Sequence, residues 1–94
     1  MRSIAHFING SSVDHGGRSG EVWNPSQGEV QATVRLGTAE TLQQAVDAAL
    51  AAQPAWAATN PQRRARVMFK FKDLVEQNMD SLAKLLASEH GKVI

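Results

Sequence analysis

The densest chemistry in this chain is a run of cations, "RRARVMFKFK", which places Arg63, Arg64, Arg66, Lys70 and Lys72 within ten residues. Guanidinium and ammonium groups at that density can neutralise the phosphates of a nucleic acid or hold another anion. Asp73, Glu76 and Asp80 follow at once, however, and Phe69 and Phe71 stand where a helix needs core residues. The preferred reading is a solvated or internally paired helix face. The glycine-rich stretch "HGGRSGE" lacks the Gly-Lys-Ser/Thr ending of a phosphate loop and joins two strands instead of leading into a helix. It reads as a flexible hairpin loop. His6, His15 and His90 fall on a strand, a loop and a helix end, without metal-ligand spacing. His90 suits a helix-end cation or donor, and Glu89 and Lys92 can pair across the stop that follows. Trp23 and Trp56 are expected as core plugs. These residues contain no nucleophile–base constellation, metal set or dinucleotide fingerprint, so no catalytic, cofactor-binding or metal-binding residue is assigned.

Such residues are held by a small frame. Ninety-four residues make at most one domain. Of the composition, 43% is hydrophobic, but much of that is alanine in "AVDAALAAQPAWAA", which buries little area. A chain of this size hides only roughly 60–65% of its unfolded surface even when compact. Independent stability is therefore expected to be marginal, with some apolar faces meant for a partner or for further sequence. The net charge of +1 is too balanced to imply nucleic acid or an anionic membrane. With no cysteine there is no disulfide, thiolate metal site or thiol nucleophile in these residues. "MRSIAHFING" carries no apolar run of signal-peptide length, and no window approaches the ~18 apolar residues of a membrane span. A soluble, cytoplasmic location is the expectation.

The period of the text changes once. Residues 1–37 are short, alternating and glycine-punctuated; residues 38–94 are helical; together they read as one partial domain. "HFING" predicts a strand entering a tight turn at Asn9-Gly10, with "SSV" as the return strand. "EVW", a turn through "NPSQG" and "EVQATVRL" predict a second hairpin. Val30, Ala32, Val34 and Leu36 alternate there with polar residues, marking a half-buried strand. Thr38 is placed to cap a first helix with Glu40 in its first turn. Leu42, Ala45, Val46, Ala49 and Leu50 would form its buried stripe. Pro54 is expected to end or kink that helix near Gln53, leaving Trp56 on a short turn. Asn60 and Pro61 restart it, with Val67, Met68, Phe71, Leu74 and Val75 on one side. Asn78 or Asp80 would cap a third helix through Leu82, Leu85 and Leu86, and Gly91 would end it in the left-handed conformation. The fold class is α+β, N-terminal β-hairpins followed by two to three α-helices.

"FINGSSV", "EVWNPSQGEVQATV", "AVDAALAAQPAWAATNPQRRARVMFKFKDLVEQN" and "LAKLLASEHGKV" together resemble the N-terminal region of the aldehyde dehydrogenase superfamily. Five motifs in register within these stretches, "FINGSSV", "NPSQGEV", "PAWAAT", "PQRR" and "EHGK", cover nearly the whole chain, and "QRRARVMFKFKDLVEQN" is most similar to the methylmalonate-semialdehyde dehydrogenase branch. The resemblance implies an incomplete piece of the family's NAD-binding domain. For the full-length enzyme it implies oxidation of malonate or methylmalonate semialdehyde with NAD, transfer of the acyl group to coenzyme A and loss of carbon dioxide. It also implies a homo-oligomer, with no nucleic-acid or membrane partner. That chemistry needs an activated thiol and a dinucleotide site. None of the family's catalytic or cofactor residues matches a position here, so neither NAD nor coenzyme A is expected to bind these residues alone. "GKVI" would then be the connection into a larger chain, with Val93 and Ile94 apolar because their cover lies elsewhere. Two other readings stand beside this one. One is a small helical module holding an anion through Arg63, Arg64, Arg66, Lys70 and Lys72. The other is an interaction subunit whose apolar helix faces self-associate.

Overall fold

The computed structural model describes residues 1–15 and 17–94; Gly16, inside the expected "DHGGRSG" loop, lies outside the described residues. Strands come first: β1 (Arg2–Ile4), β2 (His6–Ile8), β3 (Ser11–Val13), β4 (Ser19–Asn24) and β5 (Glu29–Arg35). Helices follow: α1 (Ala39–Ala58), α2 (Pro61–Gln77) and α3 (Met79–His90). The α+β order read from the sequence is the order found.

Both hairpins form where their turn residues place them. Asn9 and Gly10 take φ of 53° and 78°, the paired positive values of a two-residue turn that matches strand twist, and β2 and β3 run antiparallel across it. In the second turn the Asn24 side chain accepts from the N–H groups of Ser26 and Gln27, and Gly28 supplies φ of 67°. Two features escaped the sequence. The first is β1, which lies parallel to β5 and gives a sheet of order β1-β5-β4. Three residues are too few to show a period, and this pairing joins residues 30 positions apart, such as Arg2 and Ala32. The second is a bulge: Val22 faces Ala32 but Trp23 faces Val30, so Gln31 is an extra residue in β5.

The helix caps also follow from residue type. Thr38 accepts from the Thr41 N–H while the Thr41 hydroxyl accepts from the Thr38 N–H, a reciprocal box at the start of α1. Asn60 accepts from Gln62 and Arg63, with Pro61 at the first helical position. Gly91 closes α3 at φ 82° and donates its N–H to Ala87. Two expectations need correction. Pro54 does not end α1 near Gln53; the helix continues to Ala58, so Trp56 is on a helix, not a turn. Strong helix formers flank the ring, and that stretch is exposed, so water can serve the carbonyl the ring leaves unpaired. Asn78 sits at the α2–α3 joint as expected, but its side chain donates back to the Leu74 carbonyl and makes no bond to the start of α3.

The core is small. Among the described residues the buried apolar side chains are Ile8 and Ala32, the latter fully buried, and Thr41 is the buried polar one. Trp23 and Trp56, expected as plugs, are 51% and 44% exposed. The α1 stripe of Leu42, Val46 and Leu50 and the α2 side of Val67, Met68, Phe71 and Leu74 are exposed as well, as is Phe69. Helical spacing gathered those residues onto faces, yet no second layer of this chain lies over them. The overall extents of 48 × 34 × 15 Å describe a flat slab. Its radius of gyration, 17.0 Å, exceeds the roughly 12 Å of a compact domain of this length.

Candidate functional site

Three places gather polar or ionisable groups. At the first, His6 Nε2 donates to the His15 carbonyl at 2.7 Å, and His15 Nδ1 lies 2.9 Å from the Thr41 hydroxyl. Glu40 approaches His15 Nε2 at 3.9 Å. Hydroxyl, imidazole and carboxylate thus lie in the order that activates a nucleophile elsewhere. Here the hydroxyl is buried and already engaged, since Thr41 Oγ1 accepts from the Thr38 N–H at 3.1 Å and meets the Thr38 hydroxyl at 3.0 Å. The cluster is a clasp: it ties the loop after β3 to β2 and to the first turn of α1. Asp14 adds a second tie, accepting from Arg35 Nε at 2.8 Å. Sequence reading treated His6 and His15 as scattered; the fold joins them, and nothing in their spacing announced it. His90 stays apart. Among the described residues no three His, Cys, Asp or Glu side chains are grouped to hold a metal ion.

The second place is the bulge. Gln31 Nε2 donates to the Ser88 carbonyl at 3.1 Å and reaches the Trp23 carbonyl at 3.4 Å, so the extra residue of β5 grips the last turn of α3. A Cβ on Gly91 would stand 3.1 Å from Pro25 Cγ, which brings the turn after β4 against the end of the same helix. The expected Glu89–Lys92 pair is not among the ion pairs of the described residues. Val93 and Ile94 are highly exposed and border a recess with Ala83, Leu86 and Ala87.

The third place is α2, which carries the five cations. They do not form one patch. At about 100° per residue, Arg63, Arg66 and Lys70 share a side, while Arg64 and Lys72 turn about 100° and 180° away from Arg63. Lys72 pairs with Glu76 at 3.4 Å, one helical turn on. Arg63 borders a recess of about 350 Å³ at the α1–α2 corner with Thr59 and Asn60. Arg64 is half-buried, and its Nε finds no acceptor among the described residues. Arg66 and Lys70 instead rim an open groove of about 490 Å³ floored by Val67, Phe71 and Leu74. That arrangement suits an apolar ridge with a polar edge better than a phosphate backbone, which needs cations side by side. The residues that sequence reading counted as helix core are therefore the most conspicuous surface of the molecule.

The chain between β3 and β4 leads into a strand, so no helix N-terminus directly follows it to receive a pyrophosphate. No helix of the described residues is long and apolar enough to cross a membrane.

Comparison with known proteins gives consistent matches. The family model for the aldehyde dehydrogenase family matches residues 12–94. A malonate-semialdehyde dehydrogenase of Pseudomonas aeruginosa is 49% identical over 94 residues, covering all of this chain and 19% of the relative. A structure from Sinorhizobium meliloti, described as a methylmalonate-semialdehyde dehydrogenase complexed with NAD, has a TM-score of 0.91 at 52% identity. It covers 95% of this chain and 18% of its own. The methylmalonate-semialdehyde dehydrogenase of Oceanimonas doudoroffii has a TM-score of 0.93 at 44% identity, over 96% of this chain and 18% of its own. The chain thus spans about a fifth of the length of these relatives. Short strands followed by three helices match the N-terminal portion of those enzymes. Superfamily and branch, both inferred from sequence resemblance, agree with the matches.

Proposed function

The chain belongs to the aldehyde dehydrogenase family, and from that premise we propose that it serves as the N-terminal portion of an NAD-dependent, CoA-acylating malonate- or methylmalonate-semialdehyde dehydrogenase. The reaction of the whole enzyme would yield acetyl-CoA or propionyl-CoA with release of carbon dioxide. The observation that carries this reading is the 52% identity at TM-score 0.91 to a structure described as a methylmalonate-semialdehyde dehydrogenase, over 95% of this chain. Residues 1–37 and 38–94 are two regions of one partial domain, and none of them touches substrate, NAD or coenzyme A. Their part is structural: a β-sheet and three helices whose apolar faces are built to be covered. The whole enzyme is a cytoplasmic homo-oligomer without nucleic-acid or membrane partners.

A graft tests the reading. These 94 residues replace their counterpart in the Sinorhizobium meliloti enzyme, and semialdehyde-dependent NADH formation is followed with coenzyme A present. The graft should retain activity within about tenfold of the parent, a barrier change of about 1.4 kcal/mol or less. The 94-residue chain alone should give no NADH above a heat-killed control. An insoluble or inactive graft beside an active parent refutes the assignment, and so does turnover by the chain alone.

A further inference from the structure

We propose that Asn9, in the turn between β2 and β3, is a site of spontaneous deamidation, a modification independent of the family assignment. In this reaction the Gly10 backbone nitrogen attacks Cγ of Asn9. A succinimide ring closes, the bond from Cγ to the side-chain nitrogen breaks, and ammonia leaves with the proton of the Gly10 N–H. Water then opens the ring at either carbonyl, giving aspartate or isoaspartate; nothing is oxidised or reduced. Of the four asparagines, three are held back from this route. Asn24 and Asn60 precede Pro25 and Pro61, whose nitrogens carry no N–H. Each of their side-chain oxygens also accepts two backbone N–H groups. Asn78 precedes Met79, the first residue of α3, and its side-chain nitrogen donates to the Leu74 carbonyl at 2.8 Å. Asn9 precedes a glycine, and neither its side-chain amide nor the Gly10 N–H is hydrogen-bonded among the described residues. A Cβ built at Gly10 would meet nothing within 4 Å, so the attacking side is open. Residues 9–12 are all exposed and carry no apolar side chain, a tip suited to water and unlike the bare face of α2.

Ring closure draws the Gly10 nitrogen onto the Asn9 side chain, so the tight turn must first open. That opening is easy here, because β2 and β3 are three residues each and pair only with one another, outside the larger sheet. The two products differ in consequence. Aspartate keeps an Asp-Gly turn of the same length. Isoaspartate adds a main-chain carbon between β2 and β3, which disturbs the pairing of Ile8 with Ser11 and of His6 with Val13. Ile8 belongs to the small core and His6 to the clasp, so this product loosens both.

The test ages the 94-residue chain and the graft in neutral and alkaline buffer and maps their peptides by mass spectrometry. Asn9 should convert at least about tenfold faster than Asn24, Asn60 or Asn78. Its rate should rise with pH, since the attacking nitrogen must lose its proton, and both isoaspartate and aspartate should form. Asn9→Asp should match the parent in amide exchange of β2 and β3, whereas the aged fraction rich in isoaspartate should exchange faster there. Aspartate without isoaspartate would overturn the ring-closure route, and conversion at Asn78 as fast as at Asn9 would overturn the selectivity. An Asn9 that reacts in urea but stays intact in the folded chain would overturn the site. So would conversion in the isolated chain but not in an active graft, because the complete fold would then shield the turn. The 94-residue chain reports on Asn9 whether or not the graft is active, so failure of the family reading remains distinguishable.

Discussion

At the level of single residues, the consequential side chains are those that join elements, not those that could do chemistry. Thr41 is the clearest case, since its hydroxyl serves the Thr38 N–H and His15 Nδ1 at once while nearly buried. Thr41→Val keeps the shape but leaves those partners unpaired, so it should destabilise by about 1–3 kcal/mol; urea unfolding of the graft followed by circular dichroism measures this. Gly91→Ala should cost about 1–2 kcal/mol, because φ of 82° is strained for a side chain and the added carbon meets Pro25 Cγ at 3.1 Å. Gly91→Asn, which tolerates the left-handed region better, should show a smaller backbone penalty in the same assay. The caps at Thr38 and Asn60, the Asn9-Gly10 turn and the Gly91 stop were all legible, because each depends on one residue's own chemistry. The clasp was not. His6 and His15 become partners only when the turn at Asn9-Gly10 folds β3 back on β2, a fact that histidine spacing does not encode.

Whole elements divide along the same line between local and distant causes. α2 and α3 declare themselves by caps and period, and β5 by its alternation of apolar and polar residues. β1 and the bulge at Gln31 do not, because one depends on a partner far along the chain and the other on a slip in register. The continuation of α1 through Pro54 shows how the same logic fails in the other direction. A local rule predicts a stop, but a run of alanines on both sides outweighs it, and the exposed setting lowers the penalty. Pro54→Ala should therefore stabilise α1 by as much as about 3 kcal/mol without lengthening it, since the helix already reaches Ala58. Far-UV circular dichroism of the isolated chain should show a higher melting temperature at nearly constant helix content. A large gain in helix content instead would mean that the residues after Pro54 are not helical in the parent. Gln31→Ala tests the other long-range element. It removes the bond to the Ser88 carbonyl, should cost about 1 kcal/mol, and should raise amide exchange in the last turn of α3 while sparing α2.

Considered as a whole, the molecule has well-specified elements and a deficient interior. An unfolded chain of 10.2 kDa exposes roughly 14,800 Å², so the 7,481 Å² left on folding means that about half is hidden, against about two-thirds for a compact globule of that mass. Alanine explains part of the deficit: α1 spends its length on side chains too small to enclose anything. Geometry explains the rest, because the chain is spread into a flat slab in which Leu42, Phe71 and Leu82 remain exposed. Sequence reading anticipated apolar faces awaiting cover but misplaced which residues would be inside, since helical periodicity locates a face without saying what packs on it. The physical consequence is measurable. Because the urea m-value scales with the area exposed on unfolding, the isolated chain should unfold with an m-value about a quarter below that of a compact domain of equal length. Its transition should also be shallow, with binding of an apolar dye such as ANS before unfolding begins. Small-angle scattering at low concentration should give a radius of gyration near 17.0 Å for the monomer. A sharply cooperative monomer with a radius near 12 Å, a full m-value and no dye binding would show that these faces close on one another. The α2 groove would then be an interior surface, and the structural role could not stand.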